Sequence, residues 1–257
     1  MEFRILGTLE VAAGPRRVAL PKGNQRTLLA SLILQVNQQV LVDGLVNDVW
    51  GESLPRHPRN ALHTCVTRLR RTFESAGFRL SEVLHTTPAG YVLTADPAAV
   101  DFLRFRRFVA AADAAAEKGD ALAEHGSLCA ALSLWRGRPL SDVRSEMLHR
   151  ALIPMLEEEW GRAVERRLAL EIGLGRHSAI IGELRSLTGR HPFREQFWQL
   201  LIRALYRSGR QAEALEAYLR IAALLKEELG IEPGRELQDT YLMVLRSGSP
   251  DDHPSPV

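Results

Sequence analysis

The chain of 257 residues is 46% hydrophobic and 25% charged, which is enough apolar content for one large or two medium cores, and its formal charge is only +2. Its apolar runs are interrupted well before the length of a bilayer crossing, and Met1-Glu2-Phe3-Arg4 opens a strand pattern rather than a signal peptide, so a cytoplasmic protein with no membrane partner is expected. Cys65 and Cys129 form no C-x-x-C pair and read as reduced structural thiols, which removes disulfide and zinc frameworks from consideration.

Charge is unevenly placed. Residues 1–95 carry eleven Lys and Arg against seven Asp and Glu, whereas residues 96–257 carry 22 against 24. The N-terminal part is therefore the side suited to a polyanion, and its modest excess predicts weak nonspecific DNA binding that gains strength when copies align on a repeated site.

In chain order, Phe3, Ile5, Leu9 and Val11 alternate, and Val18 and Leu20 follow the Gly14-Pro15 turn, so the chain starts with short antiparallel strands. Leu28, Leu29, Leu32 and Ile33 predict a helix from Asn24 to Val36. Asp43 is placed to cap a short helix through Val49-Trp50, and Gly51 ends it. Two prolines make Glu52 to Arg59 an exposed loop.

A third helix over Asn60–Phe73 is the most informative. Leu62, Val66, Leu69 and Phe73 recur at spacings of four, three and four and form one apolar stripe. Asn60, Thr64, Thr67 and Arg71 fall near the opposite side, with His63 and Arg68 on its flanks. Arg pairs bidentately with guanine and Asn with adenine, while Thr and His reach phosphates or a thymine methyl. In this assignment Arg68 and Thr64 read bases, and Asn60, His63, Thr67 and Arg71 fix register on phosphates. A hairpin follows, with Val83–Thr87 and Tyr91–Leu93 flanking Pro88-Ala89-Gly90. Strands, three helices and a terminal hairpin, with the third helix basic outside, describe a winged helix-turn-helix, with Arg79, Thr86 and Thr87 as the wing candidates.

From Asp101 onward the pattern is amphipathic helix, broken at Gly119-Asp120, Gly137-Arg138-Pro139, Gly175, His191-Pro192, Gly209 and Glu232-Pro233-Gly234. Gly175-Arg176 and Gly209-Arg210 are 34 residues apart, and the same offset relates Ile180 to Ala214 and Leu184 to Tyr218. That is the tetratricopeptide period, and stacked helical pairs of this kind expose a concave face that binds peptides or partner domains. The expected fold is mainly α with small β: a winged helix-turn-helix over 1–95, an all-helical tetratricopeptide-like domain over 96–246, and a disordered polar tail over 247–257. The sequence has no P-loop, the glycines around Gly173-Leu-Gly175 lack a dinucleotide fingerprint, and the histidines lack ligand spacing, so no enzyme, cofactor or metal is expected. An alternative stays open in which the helical part is a scaffold and the winged helix serves only protein contacts.

Longer stretches carry a resemblance. Leu156–Trp160, Gly175–Ser178, Leu184–Glu195, Ala204–Tyr218 and Glu227–Gly234 resemble the bacterial transcriptional activator domain of the Streptomyces antibiotic regulatory proteins, as do Trp135–Leu140, Phe3–Val11, Asn60–Arg71 and Gly90-Tyr91. The resemblance implies an OmpR-type winged helix, akin to the output domain of two-component regulators. It implies a pathway-specific activator of antibiotic genes that binds direct repeats of promoter DNA near the −35 region, beside a second protomer, and recruits RNA polymerase holoenzyme with its sigma factor. A nucleoid-associated protein is the corollary. Larger members add an ATPase or a phosphothreonine-reading domain, and related regulators a phosphoacceptor domain; this sequence matches none of these, so ATP or phosphorylation control is not expected.

Overall fold

The computed structural model describes residues 1–246, and the tail expected to be disordered, 247–257, lies outside the described residues. The chain divides into two compact units, Met1–Ala163 and Val164 onward.

The first unit opens with three antiparallel strands, β1 (Glu2–Arg4), β2 (Glu10–Ala13) and β3 (Arg16–Arg17), with Phe3 opposite Val11 and Ala13 opposite Arg16. Helix α1 (Asn24–Leu34) is buried continuously from Thr27 to Ile33, because α2 (Val42–Trp50), α3 (Pro58–Ser75) and a second sheet all pack on it. That sheet has the order β4-β6-β5, from β4 (Gln39–Leu41), β5 (Leu84–Thr87) and β6 (Gly90–Leu93). Gly90 is required where β4 crosses β6: a Cβ there would lie 1.9 Å from the Val40 carbonyl oxygen.

Three boundaries depart from the periodicity. Helix α1 stops at Leu34, before the expected Val36, and Asn37 follows at φ 64°, its side chain bonding both the N–H and the C=O of Ala95 at 2.9 Å. Asp43 does not cap α2. The helix starts at Val42 with Leu41 as its N-cap, and the Val42 N–H donates to the Ala89 carbonyl at 3.1 Å, so the hairpin turn supplies an acceptor for one of the free amides of the helix start. The loop before α3 is shorter than expected, since Pro58 takes the first helical turn, where its missing N–H costs nothing.

Helices α4 (Asp101–Glu117), α5 (Ala121–Leu132) and α6 (Glu146–Ala151) complete this unit together with the first half of α7 (Ile153–Gly173). Trp135 meets the ring of Phe105 edge-on at 5.5 Å and that of Trp160 at 6.1 Å. Two carboxylates tie this region to the N-terminal strands. Asp101 accepts from the Ile5 and Leu6 N–H groups at 2.9 and 3.0 Å, and Asp142 accepts from the Leu9 N–H at 2.8 Å while pairing with Arg26. The segment between them adds backbone bonds from Arg136 N to Leu6 O and from Leu140 N to Ile5 O. Burial pushes the Asp101 carboxyl up, opposed by those backbone donors and by Arg136.

The second unit holds the rest of α7 with α8 (His177–Arg190), α9 (Glu195–Arg207), α10 (Gln211–Leu229) and α11 (Arg235–Arg246). Helix α9 is the hub: it contacts α8, α10 and α11, and accordingly buries Phe197, Trp198, Leu200, Leu201, Ile202, Ala204 and Leu205 over a broad face. The 34-residue offset has matching geometry. Gly175 and Gly209 both turn the chain in the left-handed region, at φ 78° and 75°, and Ile180 and Ala214 are both buried. Tyr218 stacks on Tyr241 at 4.0 Å, and the Trp198 indole donates to the Pro192 carbonyl at 2.9 Å. Among the described residues, no helix is long and apolar enough to cross a membrane.

Candidate nucleic-acid interface

The site is built on α3. Its inward stripe, Leu62, Val66, Leu69 and Phe73, is buried to within 1% exposure, and burying side chains of this size stabilises by about 1.5–3 kcal/mol each. The stripe fixes the rotation of the helix, and the rotation decides which residues face outward. Asn60, His63, Thr64, Arg68 and Arg71 are exposed and Thr67 is half-buried. The Thr64 and Thr67 hydroxyls each donate back to the carbonyl one turn earlier, those of Asn60 and His63, at 2.9 and 3.0 Å. Arg68 and Arg71 form no ion pair among the described residues, whereas Arg59 on the same helix lies 3.6 Å from Asp43. Burial pushes the Cys65 thiol up to about 11, so it stays protonated on the inner face.

The hairpin lies beside this helix, and Arg70 joins them. Its guanidinium donates to the Leu84 carbonyl at 2.8 Å and to the Thr86 hydroxyl at 3.2 Å. Thr86 is exposed on β5, and the half-buried Thr87 accepts from the Gly90 N–H at 3.1 Å, closing the turn. Arg79 precedes a 3-10 turn over Leu80–Glu82 and is 3.6 Å from Glu82 with both side chains exposed. Sequence reasoning missed Arg70, whose one signal was an arginine placed directly after an inward leucine. Between α2 and α3, Glu52, Ser53, Leu54, Arg56 and His57 are exposed, with Leu54 at 57%.

The second unit has a different chemistry. A groove of about 680 Å³ runs between α8, α9 and α10, with Trp198, Leu201 and Leu205 at its base and Arg185, Glu213 and Arg220 at its walls. Several charges of this unit are matched: Arg185 meets Glu213 at 2.6 Å, and Arg167 meets Glu171 at 2.9 Å and Glu183 at 2.5 Å. No cluster of three or more His, Cys, Asp or Glu that could hold a metal ion occurs among the described residues.

Comparisons with known proteins agree with this architecture. The family described as bacterial transcriptional activator domain matches residues 100–245, and that described as transcriptional regulatory protein, C terminal, matches residues 16–93. Regulatory protein DnrI of Streptomyces peucetius is 32% identical over 261 residues, covering 100% of this chain and 96% of that protein. Transcriptional regulatory protein EmbR of Mycobacterium tuberculosis is 36% identical over 246 residues, covering 96% of this chain, which spans 63% of the length of EmbR. The solved structure of Mycobacterium tuberculosis EmbR in complex with a low affinity phosphopeptide superimposes with a TM-score of 0.89 at 35% identity, covering 97% of this chain and 66% of that one. The family matches and the relatives' names are those of transcriptional regulators rather than enzymes: the chain belongs to the Streptomyces antibiotic regulatory proteins, with an OmpR-type winged helix followed by a bacterial transcriptional activator domain.

Proposed function

We propose that the protein is a sequence-specific DNA-binding activator that docks side by side with a second protomer on direct repeats near the −35 region and recruits RNA polymerase holoenzyme, sigma factor included. The division of labour is a DNA-reading domain over 1–95 and an activator domain over 96–246, and the place of action is the nucleoid. The observation that carries DNA binding is the outer face of α3, where Arg68 and Arg71 stand exposed without carboxylate partners, opposite a stripe whose burial holds them there. Arg68 and Thr64 read bases. Asn60, His63, Thr67 and Arg71 set register on phosphates, and Arg79, Thr86 and Thr87 border the wing, which Arg70 anchors. Family membership supports activation and, through the family's name, control of antibiotic genes. The exposed loop before α3, with Leu54 at its centre, is the polymerase-facing element.

Footprinting of the intergenic region beside the protein's own locus tests the assignment. Arg68→Ala is expected to weaken binding by about 1–3 kcal/mol per subunit and to relax specificity at one base pair; unchanged affinity and specificity would refute the base-reading role. In vitro transcription with a Leu54→Ser variant that still binds DNA tests the loop, and an undiminished transcript would remove it from the mechanism.

A further inference from the structure

Next to the outer face of α3 lies a cleft of about 430 Å³ whose walls include Lys22, Asn24, Gln25, Trp50, Thr64 and Arg68. No carboxylate lines it, and neither Lys22 nor Arg68 forms an ion pair among the described residues. Two cations bordering one concavity repel each other and raise its potential, which favours an anion between them.

The segments that carry the cleft are tied to the rest of the unit. Arg26 donates to the Leu20 carbonyl at 2.7 Å and pairs with Asp142, which pins the segment leading to Lys22. The Thr72 hydroxyl lies 3.2 Å from Gln25 Oε1, which ties the start of α1 to α3. Lys22 is the one lysine among the first 95 residues, and its compact ammonium suits a tetrahedral phosphate oxygen better than it suits a planar base edge.

We propose that this cleft seats one backbone phosphate of the duplex, beside the base edges that Arg68 meets, with Lys22 as its cation and Asn24 and Gln25 as neutral donors. The proposal rests on the reading that α3 enters DNA, and the experiment separates the two. The full chain is titrated with a labelled duplex of mixed sequence across a chloride series, as wild type, as Lys22→Gln, and as Lys118→Gln, which removes an equal charge at the exposed end of α4. Thermal melts of the three establish equal folding. Lys22→Gln is expected to make the log-log salt slope shallower by about 0.9, the signature of one lost phosphate, with Lys118→Gln matching wild type. A Lys22→Gln slope equal to a salt-dependent wild type would overturn the seat and leave the DNA reading intact. An equal loss in both variants would show generic charge and also overturn it. Absence of salt-dependent binding by wild type would sink the DNA reading and the seat together. Inorganic phosphate replaces chloride at matched ionic strength in a last arm and is expected to act no differently; displacement specific to phosphate and lost in Lys22→Gln would assign a free-anion pocket instead.

Discussion

The outer face of α3 and the helices of the second unit are both rich in arginine, and the same side chain does opposite things in the two places. In the second unit Arg167 meets both Glu171 and Glu183, and Arg185 and Arg210 share Glu213, all within 2.9 Å, so these guanidinium groups are engaged inside the fold. On α3 Arg68 and Arg71 have no such neighbour, and the charge remains available to a partner. Counting basic residues therefore says little, and locating their acidic partners says much more. A net charge of only +2 conceals a basic reading face because residues 96–257, with 22 basic against 24 acidic side chains, offset part of the excess carried by residues 1–95.

The contrast can be attacked from several directions. Removing the ring of Phe73 by Phe73→Ala is expected to destabilise the first unit by about 3–5 kcal/mol, seen as a lower urea midpoint and as loss of DNA binding wherever the protein unfolds. Retained stability would mean that the stripe does not fix the helix. In the second unit Arg167→Met removes pairing to Glu171 and Glu183 from a side chain that is 12% exposed; about 1.5–3 kcal/mol of stability should go, with the DNA salt slope unmoved. A change in slope would break the claim that these charges are internally consumed. Smallest in stability terms, Arg71→Ala should leave the melt unchanged and lower the log-log salt slope by about 0.9, the reverse of the Arg167 pattern. A melt that falls instead would place Arg71 among the structural arginines.

How much of this was legible in the sequence depended on whether the signal was periodic. The stripe on α3, the hairpin around Pro88-Ala89 and the 34-residue offset between Gly175 and Gly209 repeat at spacings that backbone geometry imposes, and each was found. Strand β4 was not, because three residues with Val40 alone pointing inward are too short to alternate. Asp43 was misread as a cap because the partner of the α2 terminus, the Ala89 carbonyl, comes from a strand connection 47 residues later. For the site, the side chains of α3 follow directly from helical spacing. The roles of Arg70 and Lys22 depend on long-range neighbours, Leu84 and Arg68, whose proximity no local pattern announces.

The carboxylates of Asp101 and Asp142 bear on how the protein should be dissected. They finish the hydrogen bonding of Ile5, Leu6 and Leu9, and Asp142 also grips Arg26. A fragment cut after the hairpin would keep every proposed reading side chain yet strand three amides at its own amino end and release the support behind Lys22. Excised pieces meant to report faithfully on promoter recognition should therefore run at least through Ser145, whose hydroxyl donates to the Asp48 carbonyl at 2.6 Å.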